Sequence, residues 1–360
     1  MIDIGQTILM GIDGQFLKED EKKFIEEENI GGIILFSKNF ESPFQLAELI
    51  NSIQKLRKDY PLFISVDHEG GRVIRFKNYF TQFPPMLEIA KLNSPKCCYN
   101  LSKIMADELS SCGINFNFSP CCDILENQKN LVIGDRAFGK SSDAVSKFVT
   151  SAIRGFQTNG VLACAKHFPG HGSTFKDSHF DLPIIEKSLD DLRKNEFIPF
   201  KRAIKARVEF IMMGHLLVNS IDAEYPATLS RKWHKILREE LKFEKLIISD
   251  DLQMEAVTKH FSLEEATLLA LEAGSDILIY RDFESAKKGH ESIIRGVKEK
   301  RISTDIIRQK NKRISDCKKR NLKEYNPINL KDVGKNINIT SSKIFLENLN
   351  IRISSLELNN

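Results

Sequence analysis

Short runs of apolar and β-branched residues recur along the chain, and between them lie longer stretches in which apolar residues return every three or four positions. The first pattern is that of a buried strand, the second that of an amphipathic helix. Eight strand-type runs are present: Thr7–Gly11, Gly32–Phe36, Leu62–Val66, Ile114–Phe118, Val161–Ala165, Phe210–Met213, Leu246–Ser249 and Asp276–Tyr280. Residues 41–58, 142–158 and 262–273 are among the helix-type stretches. This alternation predicts repeated βα units around a parallel sheet, because parallel neighbours need a crossover connection and a helix supplies it.

Several runs end in polar or ionisable residues that lead into a loop: Ser37-Lys38-Asn39, Asp67-His68-Glu69, Lys166-His167, Gly214-His215 and Asp250-Asp251. In a closed (β/α)8 barrel the carboxyl ends of all strands surround one mouth, so reactive groups scattered through the sequence converge there. An open, doubly wound sheet competes, but no Gly-x-Gly-x-x-Gly follows an early strand to support a dinucleotide site. The expectation is an α/β fold, a single (β/α)8 TIM-type barrel over residues 1–320, closed by an amphipathic helix at 302–320. Residues 321–360 turn Asn-rich and lose sustained periodicity. Within them Ile344-Phe345-Leu346 reads as a helix and Ile351-Arg352-Ile353 as a strand. This short C-terminal extension, packed on the barrel or partly disordered, is too small for a core of its own.

With 360 residues, 41% apolar and 28% charged, the chain has material for a large core and the makeup of a water-soluble globular protein. Its 53 basic and 49 acidic residues are dispersed and leave a net charge of +4. No strong field for nucleic acid or anionic lipid results, and no apolar stretch approaches the roughly 18 residues of a membrane span. Seven cysteines, an odd number including the adjacent pairs Cys97-Cys98 and Cys121-Cys122, read as reduced thiols without metal-type spacing. Met1–Gly5 shows no basic stretch leading into an apolar run and cleavage site, so a cytoplasmic location is expected.

The densest chemistry is Lys166-His167-Phe168-Pro169-Gly170-His171-Gly172, followed by Asp177-Ser178-His179 and Asp181-Leu182-Pro183. Pro169, Gly170, Gly172 and Ser173 predict a mobile loop over a strand end, the character of a catalytic lid. A lone histidine is more often structural than catalytic, but three with a lysine and an aspartate form a constellation. Asp177 and His179, one residue apart, reach the same side of an extended loop. A carboxylate on one imidazole nitrogen fixes the tautomer and leaves the other nitrogen to give and take a proton near neutral pH. The run at Leu246 leads into Asp250 and Asp251. Adjacent strand residues point to opposite faces, so at most one of the two is expected to face the mouth if the strand persists. Asp250 is the better nucleophile candidate; for Asp251, capping the next helix and a direct role both stay open.

Together, Lys-His-Phe-Pro-Gly-His-Gly with Asp-Ser-His beyond it, Ser249-Asp250-Asp251-Leu252 and Val66-Asp67-His68-Glu69-Gly70-Gly71-Arg72-Val73 closely resemble the β-N-acetylglucosaminidase branch of glycoside hydrolase family 3. The resemblance runs in order from about Gly11 to Ile314 and takes in Gly32–Phe36, Ile133–Phe138, Gly214-His215 and Pro226–Ser230. It implies a (β/α)8 barrel and a retaining, two-step release of terminal β-linked N-acetylglucosamine. The implied substrates are small carbohydrates, cytosolic muropeptides of cell-wall recycling or chitooligosaccharides. Asp250 matches the family's nucleophile, and His179 its acid/base with Asp177 as partner. Most glycosidases divide these tasks between two carboxylates, and the Asp-x-His pairing makes a histidine acid chemically reasonable. Asp67, Arg75, Arg136, Lys166 and His167 match ligand-binding positions, and His215 is placed with them. Charged groups suit sugar hydroxyls because such hydrogen bonds are stronger when one partner is ionised. Glu69 and Arg72 read instead as internal salt-bridge partners. No cofactor or metal is implied, and neither nucleic acid nor a membrane is an expected partner.

Three departures from the family pattern stand out: His68 where Gln is common, Asp135-Arg136-Ala137 in place of Glu-Arg-Ser, and Cys121-Cys122 in the loop after the fourth strand. None removes a proposed catalytic group. A metal-dependent hydrolase would draw ligands from His167, His171, Asp177, His179, His215 and Asp250, but the His-x-His of amidohydrolase-type barrels is missing near Met10. A β-N-acetylglucosaminide phosphorylase is the nearer rival, since a histidine acid/base leaves less negative charge to repel phosphate. A non-catalytic sugar-binding barrel is opposed by the presence of Asp250, Asp177 and His179.

Overall fold

A computed structural model describes residues 2–174, 182–322 and 324–357. Eight strands, β1 (Ile8–Gly11), β2 (Gly32–Leu35), β3 (Phe63–Val66), β4 (Phe116–Asn117), β5 (Leu162–Phe168), β6 (Phe210–Met213), β7 (Leu246–Asp251) and β8 (Ile277–Tyr280), close into one parallel barrel in sequence order. Each expected run becomes a strand. β5 and β7 continue past their apolar runs to include Lys166-His167-Phe168 and Asp250-Asp251, so charged residues sit inside regular strand ends.

Alternation along the strands sorts side chains into two cores. Leu9, Ile34, Phe63, Phe116, Leu162, Cys164, Phe210, Met212, Leu246, Ile248, Ile277 and Ile279 point inward and fill the barrel. Phe116 stacks on Phe210 at 4.0 Å, and Phe63 meets Phe210 edge-on at 5.3 Å. The interior is thus a packed layer, not a pore. The alternate residues, such as Ile8, Met10, Ile33, Ile64, Ile211 and Ile247, pack outward against the helices. Those helices begin where the side chains can cap them: Ser42, Ser141 and Ser262 accept the amides of Gln45, Ala144 and Glu265 ahead of Pro43–Gln54, Ser142–Gln157 and Leu263–Ala273. The helix Thr304–Asn321 closes the floor, placing Ile314 and Cys317 in the interior core.

The extension departs from its expected helix and strand. Thr340–Glu357 is one continuous helix, and the reason lies in spacing: Phe345, Leu349 and Ile353 fall four apart, whereas Ile351 is 67% exposed. A strand would have put Ile351 and Ile353 on one face. Phe345 meets Phe83 edge-on at 6.2 Å, and the Asn51 side chain bonds both the N–H and the carbonyl of Ile328. No helix among the described residues is long and apolar enough to cross a membrane. All seven cysteines are free and buried.

Candidate active site

Three strands deliver their charged residues in phase with the interior core. On β3, Phe63 points inward, so Asp67 and Glu69 inherit that direction; on β5, Leu162 and Cys164 lead to Lys166; on β7, Leu246 and Ile248 lead to Asp250. All four charged residues line a cavity of about 520 Å3 at the barrel mouth, a volume suited to a small ligand. Arg72, Arg75, Arg136, His167, His171, Asp251 and Arg281 complete its polar wall, with Phe36, Phe118 and Met254 as apolar surface.

Two wall residues are out of phase. Strict alternation would turn His167 and Asp251 outward, yet both line the cavity. The pairing register of β5 on β6 shifts between Ala165 and Phe168, and that of β7 on β8 between Ile248 and Asp251. Such irregularities re-aim a side chain. The expectation that only one of Asp250 and Asp251 would face the mouth is corrected for this reason. Nor does Asp251 cap the following helix. Its carboxylate accepts the Gln253 amide at 2.9 Å and pairs with Arg281 at 2.6 Å.

A chain of ion pairs crosses the cavity floor. Lys166 Nζ lies 2.8 Å from Asp67 and 2.7 Å from Glu69; Arg75 holds the other Asp67 oxygen at 2.9 Å; Arg136 grips Glu69 through two nitrogens at 2.8 and 2.9 Å. Glu69 is thereby an internal salt-bridge partner; Arg72 is not, for its pair with Asp135 at 3.0 Å lies at the exposed rim, where it also donates to the Leu131 and Val132 carbonyls. Burial opposes charge on Asp67, Glu69, Arg136 and Lys166, but the pairing outweighs it. Asp67 is held well below the usual carboxylate range, and Glu69 falls to about 2 through Arg136 and Lys166. Lys166 is raised by Asp67 and Glu69 against the same burial. The network is therefore charged at neutral pH, and the cavity lining as a whole holds five donor-rich cations beside four carboxyl groups.

Asp250 is likewise held below its ordinary value: burial acts to raise it, and His215, His167, the Asp251 amide at 2.8 Å and Lys166 together prevail. It presents an ionised oxygen to the cavity. Asp251 is lifted to about 6 by burial despite Arg281. His215 stays off the wall formed by the described residues. It is buried, and its Nε2–H donates to the Asp251 carbonyl at 2.8 Å. His68 is buried against the Phe76 and Phe80 rings, and burial lowers it to about 4. Asp177 and His179 lie outside the described residues. The loop that carries them leaves β5 through Gly170–Thr174.

Sequence reasoning missed two participants. Asp123, fully buried, accepts the His167 Nδ1–H at 2.7 Å and the His171 amide at 2.7 Å. Arg281 follows β8 directly. Arg281 obeys the rule that found the others, an ionisable residue just past an apolar run, and was masked by the adjacent helix cap Asp282; Asp123 lies five residues beyond the run ending at Phe118, out of that rule's reach. Cys121 Sγ, an Asp123 oxygen and a His167 nitrogen also lie within 4.8 Å of one another, a metal-ligand type of grouping.

Residues 3–317 match the family model for the glycosyl hydrolase family 3 N-terminal domain. A β-hexosaminidase of Nitrosomonas eutropha is 38% identical over 287 residues, 78% of this chain and 82% of that protein. One of Bordetella pertussis is 36% identical over 280 residues, 76% of this chain and 79% of that one. Among solved structures, a family 3 β-N-acetylglucosaminidase from a Paenibacillus strain superposes with a TM-score of 0.92 at 32% identity, covering 97% of this chain and 68% of its own. The Neisseria gonorrhoeae protein NagZ, solved with N-trifluoroacetyl-D-glucosamine, gives 0.79 at 27% identity, with 96% and 98% covered.

Proposed function

This chain belongs to glycosyl hydrolase family 3, and we propose that it is a retaining exo-β-N-acetylglucosaminidase acting on terminal, non-reducing β-linked N-acetylglucosamine. The observation that carries this reading is the Asp250 carboxylate, held ionised at the mouth of a sugar-sized cavity whose floor is the Asp67–Lys166–Glu69–Arg136 network. The names of the hexosaminidase relatives support the choice of sugar.

In the proposed sequence the ring hydroxyls bond to the charged floor, where a missing partner would leave a buried charge exposed at high cost. Asp250 attacks the anomeric carbon as the glycosidic bond breaks, and His179 gives its proton to the departing oxygen. Asp177 holds the His179 ring in the tautomer this requires. The ester on Asp250 is then cleaved by water that loses a proton to His179, restoring both groups. Muropeptide fragments in the cytoplasm are the proposed natural substrate, and seven buried thiols without a disulfide accord with a reducing compartment.

Asp250→Ala is expected to abolish cleavage of an aryl β-N-acetylglucosaminide, and a slow fluorinated sugar is expected to label Asp250 in the wild type. His179→Ala should slow poor leaving groups far more than activated aryl ones, since only the former need protonation. Turnover by Asp250→Ala, or a label elsewhere, refutes the nucleophile; equal losses across leaving groups refute the acid. Running the wild type in phosphate and in a phosphate-free buffer separates hydrolysis from phosphorolysis by product.

A further inference from the structure

The grouping behind His167 has a feature the hydrolytic reading does not use. One oxygen of Asp123, Oδ2, receives two side-chain donors at once, the Cys121 S–H at 3.1 Å and the His167 Nδ1–H at 2.7 Å, beside the longer bond from the His167 backbone N–H at 3.3 Å. All three residues are buried. Neighbouring Cys122 does not share the arrangement; its Sγ is turned to the Pro120 carbonyl at 3.8 Å. A thiol, a carboxylate and an imidazole nitrogen converging on one point are the donor set of a borderline-soft divalent cation, with two protons in the place of the ion.

We propose that Cys121 Sγ, Asp123 Oδ2 and His167 Nδ1 form an inhibitory site for a thiophilic divalent cation of the zinc class. With bonds of about 2.0–2.3 Å, a tetrahedral ion needs its ligands roughly 3.3–3.6 Å apart. The two spacings on Asp123 therefore open by about half an ångström when the ion enters. The thiolate and the carboxylate neutralise the dication, water takes the fourth position, and the thiol proton leaves while the imidazole proton passes from Nδ1 to Nε2. Thiolate ligation selects zinc or cadmium over magnesium or calcium, and proton release makes binding tighten as the pH rises.

Inhibition follows from the tautomer. With Nδ1 on Asp123, the unprotonated Nε2 of His167 lies 3.5 Å from an Arg136 N–H, and Arg136 in turn grips Glu69. An ion on Nδ1 moves the ring proton to Nε2, setting donor against donor. The wall then loses an acceptor at a cavity-lining position. Cys121 is one of the positions where this chain departs from the family pattern, so the device belongs to this chain and not to its shared chemistry. Ion binding stands without the hydrolase reading; only the inhibition rests on it.

The test uses the whole protein, stripped of metal, as wild type, Cys121→Ser and Cys122→Ser. Serine keeps a hydroxyl for Asp123 and removes the soft ligand. Cadmium titration of the wild type and Cys122→Ser is expected to give a thiolate-to-metal ultraviolet absorption band saturating at one ion, and Cys121→Ser should lack it. Zinc should inhibit aryl N-acetylglucosaminide cleavage by the wild type, reversibly on chelation. Cys121→Ser, active without metal, should need at least about tenfold more zinc. A wild type without the band, or a Cys121→Ser that shows it or is inhibited at the same zinc concentration, overturns the site. If no protein cleaves the sugar, the hydrolase reading fails while the cadmium band still decides the site.

Discussion

Without the Lys166 ammonium, the largely buried carboxylates of Asp67 and Glu69 would keep, among the described residues, only Arg75 and Arg136 as paired counter-charges. Breaking a buried ion pair on one side costs about 3–5 kcal/mol because the remaining charge stays desolvated; the two arginines soften this. Lys166→Met should therefore lower the unfolding free energy at pH 7 by about 2–4 kcal/mol in a denaturant titration, and raise KM for the sugar. A loss below about 0.5 kcal/mol would mean that the network behaves like an exposed one. Acid gives a second readout. Glu69 titrates near 2 in the fold against about 4.3 in an unfolded chain. Its stabilisation is thus complete above about pH 4.5 and disappears as the pH falls toward 2. In Lys166→Met the loss should be smaller and be complete at a higher pH, because Glu69 is depressed less. These charges were legible in the sequence because Lys166, Asp67 and Glu69 stand one to three residues beyond an apolar run. Their partners were not, since nothing in linear order says that Arg136 meets Glu69 or that Arg72 turns to Asp135.

At the level of elements, the eight apolar runs and the helices between them could be read directly, because burial on one side leaves a period in the sequence. What could not be read were the two register shifts, at 165–168 and 248–251, which place adjacent residues on one wall. The strand of the C-terminal extension failed for a related reason: three residues, Ile351 to Ile353, fit period two, and only the longer span with Phe345 and Leu349 reveals the helix. The β5 loop adds a prediction at this scale. Its first half is tied to the β4 loop. Asp123 accepts the His171 amide, Asn130 donates to the His171 carbonyl at 2.8 Å, and the Asn127 amide donates to the Gly172 carbonyl at 3.1 Å. Gly172 passes so close that an added Cβ would stand 1.7 Å from the Ile124 carbonyl oxygen. Gly172→Ala must therefore push the two loops apart, at about 1–3 kcal/mol. It should cut kcat/KM at least about tenfold, because a displacement of an ångström costs more in rate than in stability. Gly14→Ala, where the nearest atom is 3.8 Å away, should change stability by less than about 0.5 kcal/mol. Equal activity in the two variants would sink the idea that this anchor positions the loop after β5.

The barrel as a whole has a reactive mouth and a sealed floor, and the seal contains a charge. Lys318, 2% exposed on the closing helix, donates to Gln6 Oε1 and the Gly31 carbonyl at 2.9 Å each and sits 4.9 Å from the centre of the Phe63 ring. Burial lowers it to about 7, with Cys317 and Asp3 pulling the other way. In the unfolded chain a lysine titrates near 10.4. Between these values the unfolded state binds a proton that the folded state does not, so stability rises with pH, by up to about 1.4 kcal/mol per unit. Below about 7 both states hold the proton and the slope vanishes. Lys310, on the same helix and lowered to about 8 by burial, adds a similar slope and is left in place as a common background. Denaturant unfolding at pH 7 and pH 9 should therefore show the wild type gaining about 1–2 kcal/mol more than Lys318→Met. At fixed pH the variant's kcat should match the wild type's, because the residue lies at the opposite end of the barrel from Asp250. Parallel gains in the two proteins would mean that Lys318 keeps its proton in the fold, held by its two oxygen acceptors and the Phe63 ring strongly enough to offset burial.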